Sequence, residues 1–106
     1  MKRSMMLPAL AGCLLAVPAF AAPVTLDVTN GSAREMTELH AAPAGSDATE
    51  ELLGGAFLPA GNTASFSLGD DANGCAYDLT FVFATGDAVE ETDRDLCADG
   101  AITVTD

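Results

Sequence analysis

Apolar and polar residues alternate one by one along 24–29. Val24, Leu26 and Val28 fall on one side, and Thr25, Asp27 and Thr29 on the other. A repeat of two is that of a β-strand with one face buried and one wet. Asn30-Gly31-Ser32 supplies turn chemistry, and the less regular run 36–42 reads as the antiparallel partner of the first strand. Pro43-Ala44-Gly45-Ser46-Asp47 breaks that run. The stretch Asp47-Ala48-Thr49-Glu50-Glu51-Leu52-Leu53-Gly54-Gly55 predicts one short helical turn, with Asp47 as N-cap, acidic residues early and glycines at the end.

The alternation resumes after a tight turn at Leu58-Pro59-Ala60-Gly61-Asn62. Ala64, Phe66 and Leu68 share one face of a strand over 63–68, with Thr63, Ser65 and Ser67 on the other. Residues 69–74 form an acidic loop. The clearest strand covers 75–84, where Cys75, Tyr77, Leu79, Phe81 and Phe83 lie on one face. Thr85-Gly86-Asp87 turns it into a strand over 88–97 that Glu90, Glu91, Asp93, Arg94 and Asp95 keep wet on at least one side. Asp99-Gly100 leads to a last strand over 101–105. About six short strands at regular turn spacing predict an all-β fold, a small antiparallel β-sandwich or partly closed barrel with one short helical turn.

The first residues follow a different pattern. Lys2 and Arg3 precede an apolar run over 5–17, and Ala19-Phe20-Ala21 gives a small-x-small cleavage motif. This is the layout of a secretory signal peptide cut between Ala21 and Ala22, leaving 22–106 as a single mature domain. Leu10-Ala11-Gly12-Cys13 offers a rival, a lipobox that would make Cys13 an acylated first residue. The apolar run before Cys13 is short for that purpose, and the residues after it are apolar where a polar tether is usual. Nothing after Ala22 approaches the roughly 20 apolar residues of a membrane-spanning helix.

Cleavage sharpens the charge. Lys2 and Arg3 leave with the leader and every Asp and Glu stays, so the formal charge moves from −12 to −14, with Arg34 and Arg94 the remaining cations. Such a surface disfavours nucleic acid and anionic lipid, and it suits cations, basic partners or solubility in salt. The two cysteines left, Cys75 and Cys97, pair as a disulfide in an oxidising compartment, since a turn near Gly86 sets the ends of its two strands opposite each other. Closing a loop of this length is worth roughly 3 kcal/mol in the chain-entropy model.

These pieces, taken together, resemble a family of small exported bacterial proteins of unassigned function. The matching segments are the opening strand and turn (24–31), the strand ending in Ala-Pro at Pro43, Glu50-Glu51-Leu52-Leu53-Gly54, and Leu58-Pro59-Ala60-Gly61. Cys75-Ala76-Tyr77-Asp78-Leu79, the turn at Gly86 and Asp95-Leu96-Cys97 complete the pattern. The resemblance spans nearly all of 22–106 and implies an exported small β domain with one disulfide and no established activity. Family members often carry Trp-Gly where this chain has Ala48-Thr49, and often Tyr where it has His40, which implies a half-buried strand position for that histidine.

Candidate chemistry is sparse. His40 is the single histidine, its nearest hydroxyls in sequence are on Thr37 and Ser46, and no strained nucleophile motif accompanies it. Glu90-Glu91 and Asp93-x-Asp95 could pair carboxylates on one strand face, yet the aromatic residues needed to line a sugar groove are required by the core. Asp70, Asp71 and Asn73 offer oxygen ligands for calcium in a loop flanked by Gly69 and Gly74, without the distal glutamate of an EF-hand; an acidic turn is the competing reading. The expectation is an exported, non-enzymatic domain that uses no cofactor and binds a protein partner or contributes to the envelope, with a calcium-binding module and a small hydrolase as alternatives. Intact mass of the protein recovered from periplasm or medium is expected to start at Ala22. A membrane-bound form starting at an acylated Cys13 would refute that.

Overall fold

The structure, a computed structural model, describes residues 22–106. Ala21, on one side of the expected cleavage, and Cys13 of the rival lipobox lie outside the described residues. Among the described residues seven strands form two sheets that pack face to face: β1 (Pro23–Asn30), β2 (Met36–Pro43), β3 (Glu50–Glu51), β4 (Thr63–Asp70), β5 (Ala76–Phe83), β6 (Ala88–Asp95) and β7 (Ala101–Val104). One sheet has the order β4-β1-β7 and the other β3-β2-β5-β6. The fold is therefore an open sandwich, and neither sheet closes into a barrel.

The alternation seen in the sequence is the burial pattern. Val24, Leu26 and Val28 of β1 face Tyr77, Leu79, Phe81 and Phe83 of β5 in one buried cluster, with Met36, Leu39, Ile102 and Val104 beside them. Ala64, Phe66 and Leu68 of β4 are half-buried against its side, on the face the sequence predicts. The irregularity of β2 has a simple cause. A bulge between Met36 and Glu38 turns both Thr37 and Glu38 outward and shifts the phase, so that Met36 and Leu39 both reach the core.

Two expectations need correction. The run 36–42 is not the partner of β1: β2 pairs with β5 and β3, while β1 pairs antiparallel with β4 and parallel with β7. The parallel pair is the exception in an otherwise antiparallel fold, made possible because the chain crosses from one sheet to the other between β6 and β7. The helical turn expected over 47–55 is instead the short strand β3 and a tight turn. There Leu52 N–H donates to the Leu39 carbonyl at 2.7 Å and the Glu51 carboxylate takes the N–H groups of Leu53 and Gly54, so pairing with β2 displaces the helix. The helical turn that does form is a 3₁₀ turn at Asp71–Asn73, capped by Asp70.

The crossing from β1 to β2 is fixed by a buried polar knot. Asn30 is fully buried and sits in phase with Val24, Leu26 and Val28, so its side chain enters the core end. Its amide donates to the carbonyls of Arg34 at 2.7 Å and Leu58 at 2.9 Å, and its Oδ1 accepts from the Ser32 hydroxyl at 2.7 Å and the Ser32 N–H at 3.1 Å. Each side-chain hydrogen-bonding position is filled, which is what burial of an amide demands. At the far end, Gly100 passes so close to β1 that a Cβ there would strike the Thr25 carbonyl.

Cys75 and Cys97 are joined, with their Cα atoms 5.5 Å apart, and Leu96 N–H bonds the Cys75 carbonyl at 3.0 Å just beyond the strand ends. Asn30→Ala is expected to lower unfolding stability by about 2–3 kcal/mol, because it orphans two carbonyls and a serine. Gly100→Ala is expected to cost about 1–3 kcal/mol by overpacking. Urea titrations of both variants that match the wild type would contradict these roles.

Candidate functional site

The residues singled out in the sequence are placed by the strands, and most of them already hold partners within the chain. His40 lies on the outer face of β2, opposite Thr80 of β5 and Glu51 of β3. Its Nε2 is 2.7 Å from the Glu38 carboxylate. The nearby hydroxyls are engaged elsewhere: Thr37 Oγ1 donates to the Val82 carbonyl at 3.3 Å, and Ser46 Oγ accepts from Ala48 N–H at 3.0 Å. The hydrogen bonds of the three side chains thus go to three different partners.

The carboxylates of β6 are separated by a bulge in its ladder with β5. Leu79 pairs with Glu91 and Tyr77 with Arg94, leaving an extra residue on β6, where Asp93 adopts a positive φ of 55°. Asp78 stabilises that conformation by accepting the Asp93 N–H at 2.8 Å. Across the bulge, Glu91 pairs with Arg94 at 2.8 Å, and Arg94 also reaches the Ala101 carbonyl on the other sheet at 3.4 Å. Asp95 turns away to accept the N–H groups of Cys97 and Ala98. Glu90 stands opposite Thr80. No enclosed pocket forms among the described residues.

The calcium candidates are likewise committed in part. Asp70 Oδ1 accepts the Ala72 N–H at 3.0 Å, and Asp71 Oδ1 accepts the Ala22 N–H at 3.0 Å. Asn73 ends the 3₁₀ turn. Among the described residues, the ligand atoms that gather within 4.8 Å are instead those of Cys75, Asp95 and Cys97. The sulfurs of that group are bonded to each other, and a disulfide sulfur lacks the thiolate charge that binds metal.

The remaining cation, Arg34, is also satisfied internally. Its guanidinium lies 4.2 Å from the centre of the Phe83 ring, with Asp87 at 2.9 Å and Asp106 at 3.3 Å. Among the described residues both arginines thus serve the fold, and the outward-facing charge is anionic.

Several residues that organise this surface escaped the sequence reading. Glu51 is the clearest: its carboxylate accepts from Leu39 at 3.0 Å, Leu53 at 2.9 Å and Gly54 at 2.7 Å. Burial works against its ionisation, but these three N–H groups and the neighbouring His40 outweigh it and hold the carboxyl below the usual glutamate range. No local motif announces this, because one of the three donors is Leu39, on another strand. Asn30 was within reach, since the phase of β1 alone puts it on the core face.

No family model, curated protein or solved structure matches the chain.

The lowered Glu51 pKa fixes the sign of a pH effect. A carboxyl that ionises more readily folded than unfolded contributes stability above its unfolded pKa, near 4.3, and loses it as pH falls through the folded value. Glu51→Gln is expected to cost about 1–2 kcal/mol at neutral pH, the low end for a charged hydrogen-bonded group because it is part exposed. The gap to wild type should close on acidification below about pH 4. A gap that does not change with pH, measured by urea unfolding, would remove the carboxylate from this role.

Proposed function

We propose that residues 22–106 form an exported, non-enzymatic binding domain that recognises an extended, cationic segment of a partner protein by strand addition along β4. The observation that carries this is the contrast between β4 and the other sheet edges. β4 is an eight-residue edge strand with no charged side chain before Asp70; its ladder with β1 is regular over residues 63–67, its own bulge is confined to the end at Leu68 and Gly69, and Phe66 and Leu68 are only half covered. β6 is protected by its bulge and by Glu90, Glu91, Asp93 and Asp95, as edge strands usually are. β7 is four residues long, and β3 covers the outer edge of β2 at His40 and Ala41. An unguarded edge is the feature that peptide-binding sheets use: main-chain hydrogen bonds give affinity and flanking side chains give specificity.

Charge selects the kind of occupant. With Arg34 and Arg94 engaged by the chain's own carboxylates, a mature charge of −14 is opposed by no free arginine among the described residues. A second copy of the chain is repelled, and a basic strand is attracted. The leader-like first residues and the disulfide support an oxidising, exported setting.

The test places a photo-crosslinking residue at Ser65 of tagged mature protein and exposes it to its own cell envelope, with and without calcium. A crosslink is expected to join β4 to a lysine- or arginine-rich segment, to weaken with salt, and to disappear when Thr63→Lys/Ser67→Lys is added with the crosslinker kept at position 65 and the circular dichroism spectrum unchanged. Capture that survives the double substitution would overturn the assignment of β4. Calcium-dependent stabilisation lost in Asp70→Ala/Asp71→Ala would favour a cation-binding role instead, and turnover of an envelope substrate lost in His40→Ala would make the domain an enzyme.

A further inference from the structure

We propose that removal of residues 1–21 creates an ion pair that locks the start of β1: the α-ammonium released on Ala22 docks onto the Asp71 carboxylate. The inference rests on cleavage between Ala21 and Ala22 and goes beyond the binding role of β4. Its basis is a two-way contact. Ala22 N lies 3.0 Å from Asp71 Oδ1, and Asp71 N–H donates back to the Ala22 carbonyl at 2.9 Å.

The acceptor is positioned independently of that contact. Asp71 opens the 3₁₀ turn that Asp70 caps through Ala72 N–H, and its own carbonyl accepts from Gly74 N–H at 3.1 Å. The donor is positioned too. Pro23 follows Ala22 and confines it to extended backbone, and Pro23 itself stands opposite Asp70 in the β1–β4 ladder.

In the uncut chain Ala22 contributes one neutral amide N–H. Hydrolysis adds water across the Ala21–Ala22 bond, leaving a carboxylate on Ala21 and an amine on Ala22 that takes up a proton at neutral pH. The same nitrogen then carries a full positive charge and three donors, at hydrogen-bonding distance from a carboxylate. Cleavage one residue further on would place the charge on Pro23, about 3.8 Å along the chain and out of register. The carboxylates facing this end of β1 are Asp71 and, across the ladder, Asp70. On the β7 side Asp99 is turned to the Ala101 N–H at 3.0 Å.

The experiment compares protein beginning at Ala22, its N-acetylated form, Asp71→Asn and, as a control for general charge, Asp47→Asn. The α-amine pKa is followed by NMR titration. It is expected about 0.5–1 unit above the ordinary value near 7.7, to fall back in Asp71→Asn and to stay raised in Asp47→Asn. Acetylation keeps the N–H and removes the charge, so it should lower the melting temperature of the wild type and leave Asp71→Asn unmoved. An amine pKa equal in wild type and Asp71→Asn, or equal effects of acetylation on both, would overturn the proposal. Intact mass of the naturally exported protein is a separate readout: a different first residue there would refute the cleavage position, while the titration on chains made to start at Ala22 still reports on the pairing.

Discussion

The fold depends on one constraint: its charged groups are almost all carboxylates, and backbone N–H groups do most of the work of satisfying them. Glu51 binds three N–H groups across two strands, Asp78 holds the β6 bulge, Asp95 closes the turn after it, and Asp99 caps the entry to β7. Asp106 accepts from Ala33 and from Arg34. A protein with many lysines would settle such acids in exposed ion pairs, which contribute little and can be exchanged. Here Glu51, Asp70, Asp71, Asp78, Asp95 and Asp99 are fixed by the main chain, so turns and bulges are specified by side chains that a composition count would file as solubilising surface.

That constraint explains which parts of the structure were legible in the sequence. The strands were, because burial on one face imposes a repeat of two that local inspection detects, as in β1, β4 and β5. The disulfide was, because the leader-like first residues and the strand register point to the same two cysteines. Sheet membership was not. The run that became β2 looks like a hairpin partner for β1, yet the chain leaves that sheet at Asn30, whose hydrogen bonds hold Ser32 and Arg34 of the connection and the distant Leu58 carbonyl. The short strand β3 was misread as helix because acidic residues followed by glycines suit a helical turn as well as a carboxylate-capped one. The choice is made by Leu39, on β2 and out of local view.

The same logic separates the candidate residues into those the fold consumes and those it leaves facing outward. Asp93, Asp95 and Glu91 were plausible as a reactive group when seen only as neighbours in sequence. Glu91 is taken up by Arg94 and Asp95 by the Cys97 N–H, while Asp93 sits at the bulge with a positive φ. What remains distinctive is a strand whose outer side lacks charge on a molecule that otherwise presents little else.

The sheet β4-β1-β7 joins the opening strand of the described chain to its last, and the contact between Ala33 and Asp106 spans 73 positions. Such pairings are late events, since the entropy of closing a long loop must be met before the ladder forms. The β5–β6 hairpin, by contrast, closes locally over Gly86 and can form as soon as its residues are free. A chain threaded through any narrow passage from its first residue would therefore hold β1 without one of its two neighbours until the final strand emerged. In such a chain the sheet built on β1 would stay incomplete, and so easy to keep extended, until β7 was free to pair.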